Sequence, residues 1–288
     1  AKEWAQEFSI PKAYGSYEAL IADPEIDAVY IPLPNELHKG WTFAAADAGK
    51  HILCEKPLAI DAEEAAEMVA YCQNRNVVLM EAFMWRHQPR TKGLLDLIRR
   101  GAIGEVRLVR SSFSFPIDMT DWRLDAARGG GALWDVGCYG ISTTRLFAGG
   151  EPTAIEAQAH FGPSGVDLSL TAALKFPNDV LGLVDCSFEQ PFRCIYEVVG
   201  THGVIEVPDA YLPPEKPIAR LRTRVGENSL EPDREQTLSF DGRNQYAAMV
   251  DAFHEAVKNG RVESPSEDGL NQMKTLDAVL ASARKGRS

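Results

Sequence analysis

The sequence has little cysteine and no pairing pattern for it. Five of 288 residues are cysteine: Cys54, Cys72, Cys138, Cys186 and Cys194. The number is odd and no two have C-x-x-C spacing, which argues against a disulfide framework or a zinc site and fits a reducing cytoplasm. No apolar stretch approaches the roughly 20 residues that cross a bilayer, and the polar, helix-like Ala1–Phe8 does not read as a signal peptide. Basic residues are in deficit, 30 against 41 acidic, for a formal net charge of −11. A general electrostatic grip on nucleic acid or anionic membrane is therefore not expected. Histidines 38, 51, 87, 160, 202 and 254 show no metal-ligand spacing, and no Ser/His/Asp or Cys/His arrangement follows from their order. Repeats and low-complexity segments are absent too.

What is present is a soluble globular profile, 45% hydrophobic and 25% charged, long enough for two ordinary domains. Its first part alternates strand and helix. Ala28–Ile31 is a β-prone run, followed by the loop Pro32–Asn35, a helix over Glu36–Ala48 and Gly49 as its C-cap. His51–Cys54 is an apolar run suited to a strand covered on both faces, and Pro57 stops it. A helix from Asp61 to Asn74 carries a capping-box carboxylate at Glu64, and Val77–Met80 is a further strand. Ser16 or a neighbour is expected to cap a short helix, Tyr17–Ala22. This rhythm predicts a doubly wound parallel sheet. From residue 85 the style changes. A helix is expected over His87–Arg100, a strand over Glu105–Phe115, and a glycine-rich entry to a helix over Gly129–Phe147. Strands follow at 153–161, 166–176, 180–188, 193–199, 203–207, 218–225 and 234–240, then helices Asn244–Asn259 and Glu267–Lys285. The second half is thus α+β with a largely antiparallel sheet, and a sheet with only one face on helices invites self-association through the other.

Three loops fall at the carboxyl ends of the parallel strands, the edge where open α/β sheets bind ligands. They carry Asn35, then Glu55-Lys56-Pro57, then Glu81 with Trp85 and Arg86. Lys56 can hold a ribose or sugar hydroxyl or help move a proton, or it is a solvated strand-end lysine. Trp85 can stack on a ring, or packs between the halves. The triple glycine Gly129–Gly131 suits close backbone approach or anion binding at a helix N-terminus. Asp135 and Tyr139, four apart, share a helix face. Tyr139 can serve as a general acid/base if a cation such as Lys56 stabilises its anion, or is a half-buried helix tyrosine. Trp122-Arg123 precedes the glycines, and Arg123 reaches a substrate or cofactor oxygen or lies on the surface.

Taken together, Ile31-Pro-Leu-Pro-Asn-Glu-Leu-His38, Cys54-Glu-Lys-Pro57, Glu81-Ala-Phe-Met-Trp-Arg86 and Gly129–Tyr139 resemble the Gfo/Idh/MocA oxidoreductases. The nearest subgroup is that of dimeric dihydrodiol dehydrogenases, D-xylose dehydrogenases and glucose-fructose oxidoreductases, and the likeness runs along essentially the whole chain. The resemblance implies an α/β fold: a truncated Rossmann-type parallel sheet (residues 1–84), then an α+β domain with a large, mostly antiparallel open sheet (85–288) that mediates a homodimer. It implies hydride transfer between NAD or NADP and a sugar or cyclic diol. Lys56 would contact the nicotinamide ribose and the reactive oxygen, and Tyr139, its pKa lowered by Lys56, would be the acid/base. Asp135 and Arg123 would bind substrate. Leu33, Asn35, His38, Glu55, Pro57, Trp85 and Arg86 would lie along the cofactor.

One departure matters. Relatives begin with a strand, a Gly-x-Gly-x-x-Gly turn and a helix that cradle the pyrophosphate. Before Lys56 this sequence offers only the scattered Gly15, Gly40 and Gly49. Roughly 35 residues of that pattern, including a central strand, have no counterpart. Weakened NAD(P) binding is expected, and a cofactorless sugar-binding or scaffolding protein is the alternative to a dehydrogenase.

Overall fold

The computed structural model describes residues 1–224, 234–260 and 266–285. Two short helices, α1 (Lys2–Glu7) and α2 (Tyr17–Ile21), come first, and Ser16 Oγ caps the second by accepting from Ala19 N at 3.2 Å. The parallel sheet follows in the order β1 (Ala28–Ile31), β2 (His51–Cys54), β3 (Leu79–Glu81). Its crossovers are α3 (His38–Asp47), entered through a 3-10 turn at Asn35–Leu37, and α4 (Ala62–Asn74), capped by Asp61. Ile52, Leu53 and Cys54 are buried, as the apolar run requires of a strand between two layers. β3 begins two residues later than its apolar run. The Val78 N–H bonds the His51 ring at 2.9 Å while its carbonyl accepts from Ile52 N at 2.7 Å, and the paired residues begin at Leu79.

The expected helix over His87–Arg100 is split. A 3-10 turn spans Met84–His87, Gln88 is extended, and α5 runs Pro89–Arg99. The cause is Pro89, whose ring forces the preceding residue out of helical conformation. β4 (Val106–Ser114) then opens an eight-stranded sheet. A π-helical turn at Leu133–Gly137 leads into α6 (Cys138–Ala148), where a single α-helix was expected. β5 (Ala154–Phe161), β6 (Asp167–Lys175), β7 (Leu181–Ser187), β8 (Arg193–Gly200), β9 (Gly203–Val207), β10 (Ile218–Thr223) and β11 (Arg234–Ser239) complete the sheet. Residue 225, the expected end of β10, lies outside the described residues. Helices α7 (Gln245–Asn259) and α8 (Ser266–Lys285) close the chain.

The strand order is β11-β10-β9-β8-β4-β7-β6-β5, antiparallel throughout except for the parallel pair β4–β7. α6 lies on β4 and β7, and small residues let it approach: a Cβ on Gly140 would sit 2.6 Å from Val184 and one on Gly137 2.8 Å from the Cys186 sulfur. α8 packs on β5, α4 and β3, and so bridges the two sheets. Among the described residues nothing packs on the opposite face of the large sheet, which exposes Leu181, Leu183 and Ile195.

Arg90 is the main polar tie of this half. It is 1% exposed and donates to the carbonyls of Pro208, Asp209, Ala210 and Ile218 at 2.8–3.1 Å, fastening α5 to the β9–β10 connection. Two carboxyls hold backbone in a similar way. Glu81 accepts from Leu58 N at 3.0 Å, and Asp167, 2% exposed, accepts from Leu133 N at 2.6 Å. Burial pushes each up to about 7; neighbouring Asp268 adds to the effect on Glu81, and the Leu133 N–H opposes it on Asp167.

Two predictions follow from these ties. Arg90→Met leaves its carbonyls without a donor and is expected to cost at least about 3 kcal/mol in urea unfolding; a change within experimental error would refute that role. The raised carboxyls keep their protons in the folded chain where the unfolded chain has lost them. Their contribution to stability therefore falls as pH rises from the ordinary carboxylate range to about 7. Asp167→Asn and Glu81→Gln should each lose less stability between pH 5 and pH 8 than the parent protein, and an unchanged slope would count against the shift.

Candidate active site

A cavity of about 400 Å³ opens between the carboxyl ends of β1 and β2 and the loop that enters the π-helical turn. From the first sheet it is lined by Leu33, Pro34, Asn35, Glu55, Lys56 and Pro57, and from across the cleft by Trp122, Arg123, Gly129–Gly131, Asp135, Tyr139 and Tyr246. A larger hollow of about 810 Å³ lies between α5 and α7, where Arg243 and Asp251 form an exposed ion pair; none of the candidate residues lines it.

The parallel strand β2 delivers Lys56, and the next residues turn back under the hold of Glu81 on Leu58 N. The largely buried Lys56 ammonium donates to the Asp135 carbonyl at 2.8 Å and lies 3.4 Å from Asp135 Oδ1. It also sits 4.7 Å from the centre of the Tyr139 ring, over its face. Burial works against this ammonium, but the surrounding Tyr139, Cys138, Asp135 and Glu55 outweigh it and hold Lys56 above the ordinary lysine range. On the other side Arg123 Nε lies 3.1 Å from Asp135 Oδ2, an ion pair whose angle falls outside hydrogen-bond geometry. Asp135 therefore stands between two cations.

Tyr139 is 6% exposed and boxed by Phe83, Phe113 and Tyr211. Its hydroxyl points to the Met84 sulfur at 3.6 Å. Burial raises its pKa well above that of a free phenol, and Lys56 pulls only partly the other way. The expectation of a lowered pKa thus gives way to a protonated phenol. A cation over the ring face stabilises the phenolate less than one at the oxygen, while desolvation of the phenolate is nearly complete.

The remaining candidates divide. Glu55 faces the cleft, accepting from the Tyr30 hydroxyl and from Lys56 N. Asn35 lines it too, but its amide donates to Gly129 O at 2.9 Å and joins the first strand-end loop to the glycine loop. His38 is fully buried and clamps loops together: Nε2 is 2.8 Å from Leu33 O and Nδ1 3.1 Å from Pro57 O. Trp85 is 0% exposed among Tyr196 and Tyr211 in the core. Arg86 donates to Ser142 Oγ at 2.9 Å and pairs with Asp268. The side chains of His38, Trp85 and Arg86 do not line this cavity.

The N–H groups of the triple glycine are engaged within the loop. Gly129, Gly130 and Gly131 donate to Ala126, Asp125 and Arg123 carbonyls, and the Leu133 N–H is taken by Asp167. The sequence reading missed Tyr30, whose hydroxyl holds Glu55, and Tyr246, at the start of α7. No local signal marks either, because long-range topology brings each to the cleft.

Comparison with known proteins gives a consistent result. Residues 1–83 match the model of an oxidoreductase family with an NAD-binding Rossmann fold, and residues 91–206 match the GFO/IDH/MocA C-terminal domain. A D-xylose 1-dehydrogenase (NADP(+)) from Haloferax volcanii is 40% identical over 98% of this chain and 86% of its own length. Trans-1,2-dihydrobenzene-1,2-diol dehydrogenase of Mus musculus is 32% identical over 99% of this chain and 84% of its own. A 3-ketoreductase from Actinomadura kijaniata, solved with NADP and TDP-benzene, superposes with a TM-score of 0.86 at 32% identity, covering 98% of this chain and 86% of that one. With both halves matched in order, the chain belongs to the GFO/IDH/MocA family of NAD-binding oxidoreductases.

Proposed function

We propose that the cleft carries hydride transfer between nicotinamide and a hydroxyl- or carbonyl-bearing carbon of a sugar or cyclic diol, with Tyr139 as acid/base and Lys56 as its partner. The observation that supports this most directly is the meeting of the Lys56 ammonium and the Tyr139 ring at 4.7 Å beside Asp135. The substrate class is drawn from the D-xylose and dihydrodiol dehydrogenases to which the chain is similar.

The cavity volume lies within the range of small-ligand sites. Leu33, Pro34 and Pro57 give one apolar wall, with Glu55 and Lys56 beside it, a lining that fits the nicotinamide riboside end of the cofactor. The bound cofactor supplies or accepts the hydride. Tyr139 handles the proton. Its hydroxyl faces a weak acceptor, the Met84 sulfur, and is held protonated by burial. In that state it is the acid that a carbonyl oxygen needs while its carbon takes up hydride. In the reverse direction the alcohol proton passes to the phenolate, which Lys56 stabilises. Asp135 and Arg123 offer an acceptor and a donor to substrate hydroxyls in place of each other.

Residues 1–84 form the cofactor half in this reading, and 85–288 the substrate half. The uncovered face of the large sheet forms a homodimer interface. Leu181, Leu183 and Ile195 supply its apolar part, and the pairs Arg110–Glu197 and Arg193–Asp185 its polar part.

Tyr139→Phe is expected to lower kcat by about 10²–10⁴-fold while NADPH or NADH affinity, followed by fluorescence titration, stays within about twofold. An unchanged rate would remove Tyr139 as the acid/base. For the interface, sedimentation velocity should show a dimer for the parent protein and a monomer for Leu183→Arg, because one buried, unpaired charge per copy opposes association. A monomeric parent would end the dimer reading.

A further inference from the structure

The helix that carries Asp135 and Tyr139 has no local cap. Glycines precede it, Ala132 stands at its start, and no side chain from that segment accepts a hydrogen bond there. The acceptor comes instead from β6. Asp167 Oδ2 takes the Leu133 N–H at 2.6 Å, two residues before Asp135 and six before Tyr139. The other carboxylate oxygen lies against Gly131, where a Cβ would stand 2.3 Å from it. Gly131 has φ of 122°, a region that side-chain-bearing residues rarely adopt. Its carbonyl in turn accepts from Asp135 N at 3.1 Å. Both oxygens of one buried carboxyl thus bear on the two residues that fix where this helix begins.

Rotation or sliding of the helix start moves the Asp135 carbonyl, which receives Lys56, and then the phenol one turn further on. Asp167 touches neither residue and is absent from the cavity lining. We propose that Asp167 is a positioning residue for the active site: by accepting the Leu133 N–H and seating Gly131, it sets the register of the Asp135–Tyr139 helix against Lys56. This rests on Tyr139 being the acid/base. The strand-end residues Leu33, Glu55 and Pro57 belong to other elements and are not bonded to Asp167, so its loss is expected to act mainly on kcat.

The experiment is a double-mutant cycle in the active enzyme. Asp167→Leu keeps the volume but removes the acceptor, and Asp167→Asn keeps an oxygen toward Leu133. Asp167→Leu should lower kcat by about 10- to 100-fold, the scale of a small misplacement of a reacting group, with NADPH or NADH affinity within about twofold. Asp167→Asn should restore kcat to within about threefold of the parent, because it restores the bond. In a Tyr139→Phe background, Asp167→Leu should cost little further rate, since both changes remove the same proton transfer. Should Asp167→Leu not fold, Asp167→Ser, whose hydroxyl is too short to reach Leu133, takes its place with the same expectations. A variant that loses only thermal stability at unchanged kcat overturns the proposal and leaves the acid/base role standing. Fully multiplicative losses in the double variant overturn it too. If Tyr139→Phe is itself without effect, the acid/base reading falls first and the positioning role falls with it.

Discussion

The site depends on a cation held away from bulk water. Burying an ammonium costs several kcal/mol unless partners meet it. Here the partners come from the other half of the chain: the Asp135 carbonyl and carboxylate and the face of the Tyr139 ring. The lysine tip of one sheet thereby becomes a tie between the parallel sheet and the helix lying on the antiparallel one. The π-helical turn at Leu133–Gly137 belongs to this arrangement. Such wide turns are rare and recur at functional sites, and this one presents the Asp135 carbonyl to Lys56.

The parts of the fold legible in the sequence are those set by short-range rules. β1 and β2 stand where apolar runs end at proline, and Ser16 and Asp61 cap the helices they precede. The misplacements have specific tertiary causes. The His51 ring takes the Val78 N–H just before β3, Pro89 breaks a helix in two, and the wide turn before α6 leaves no mark on a periodicity of 3.6. The parallel pairing of β4 with β7 inside an antiparallel sheet is likewise beyond local pattern.

The same division holds in the cleft. Lys56, Asp135 and Tyr139 were legible because a strand end and a four-residue spacing place them with few assumptions. Exposure was not legible. Trp85 and His38 carry the same chemistry on paper as a ligand-facing pair, yet one fills the core and the other clamps two loops. The sign of the Tyr139 shift was lost for a related reason. Sequence gives the neighbouring charge, whereas the surrounding Phe83, Phe113 and Tyr211 that exclude water come from three separate elements.

The Tyr139 phenol faces a sulfur at 3.6 Å, and the Lys56 ammonium is held by the Asp135 carbonyl with its carboxylate at 3.4 Å. Keeping such groups in place requires stiffness elsewhere, and two carboxyls supply it at opposite ends of the pair. Glu81 grips Leu58, two residues after Lys56, and Asp167 grips Leu133, six residues before Tyr139. Each is pushed up to about 7, so each weakens the fold near neutral pH compared with an unshifted carboxyl. Their presence is understandable if the orientation of the Lys56 turn and of the Tyr139 helix matters more than the stability forgone, because a hydrogen bond from a backbone N–H to a carboxyl oxygen fixes direction as well as distance, which apolar packing does not.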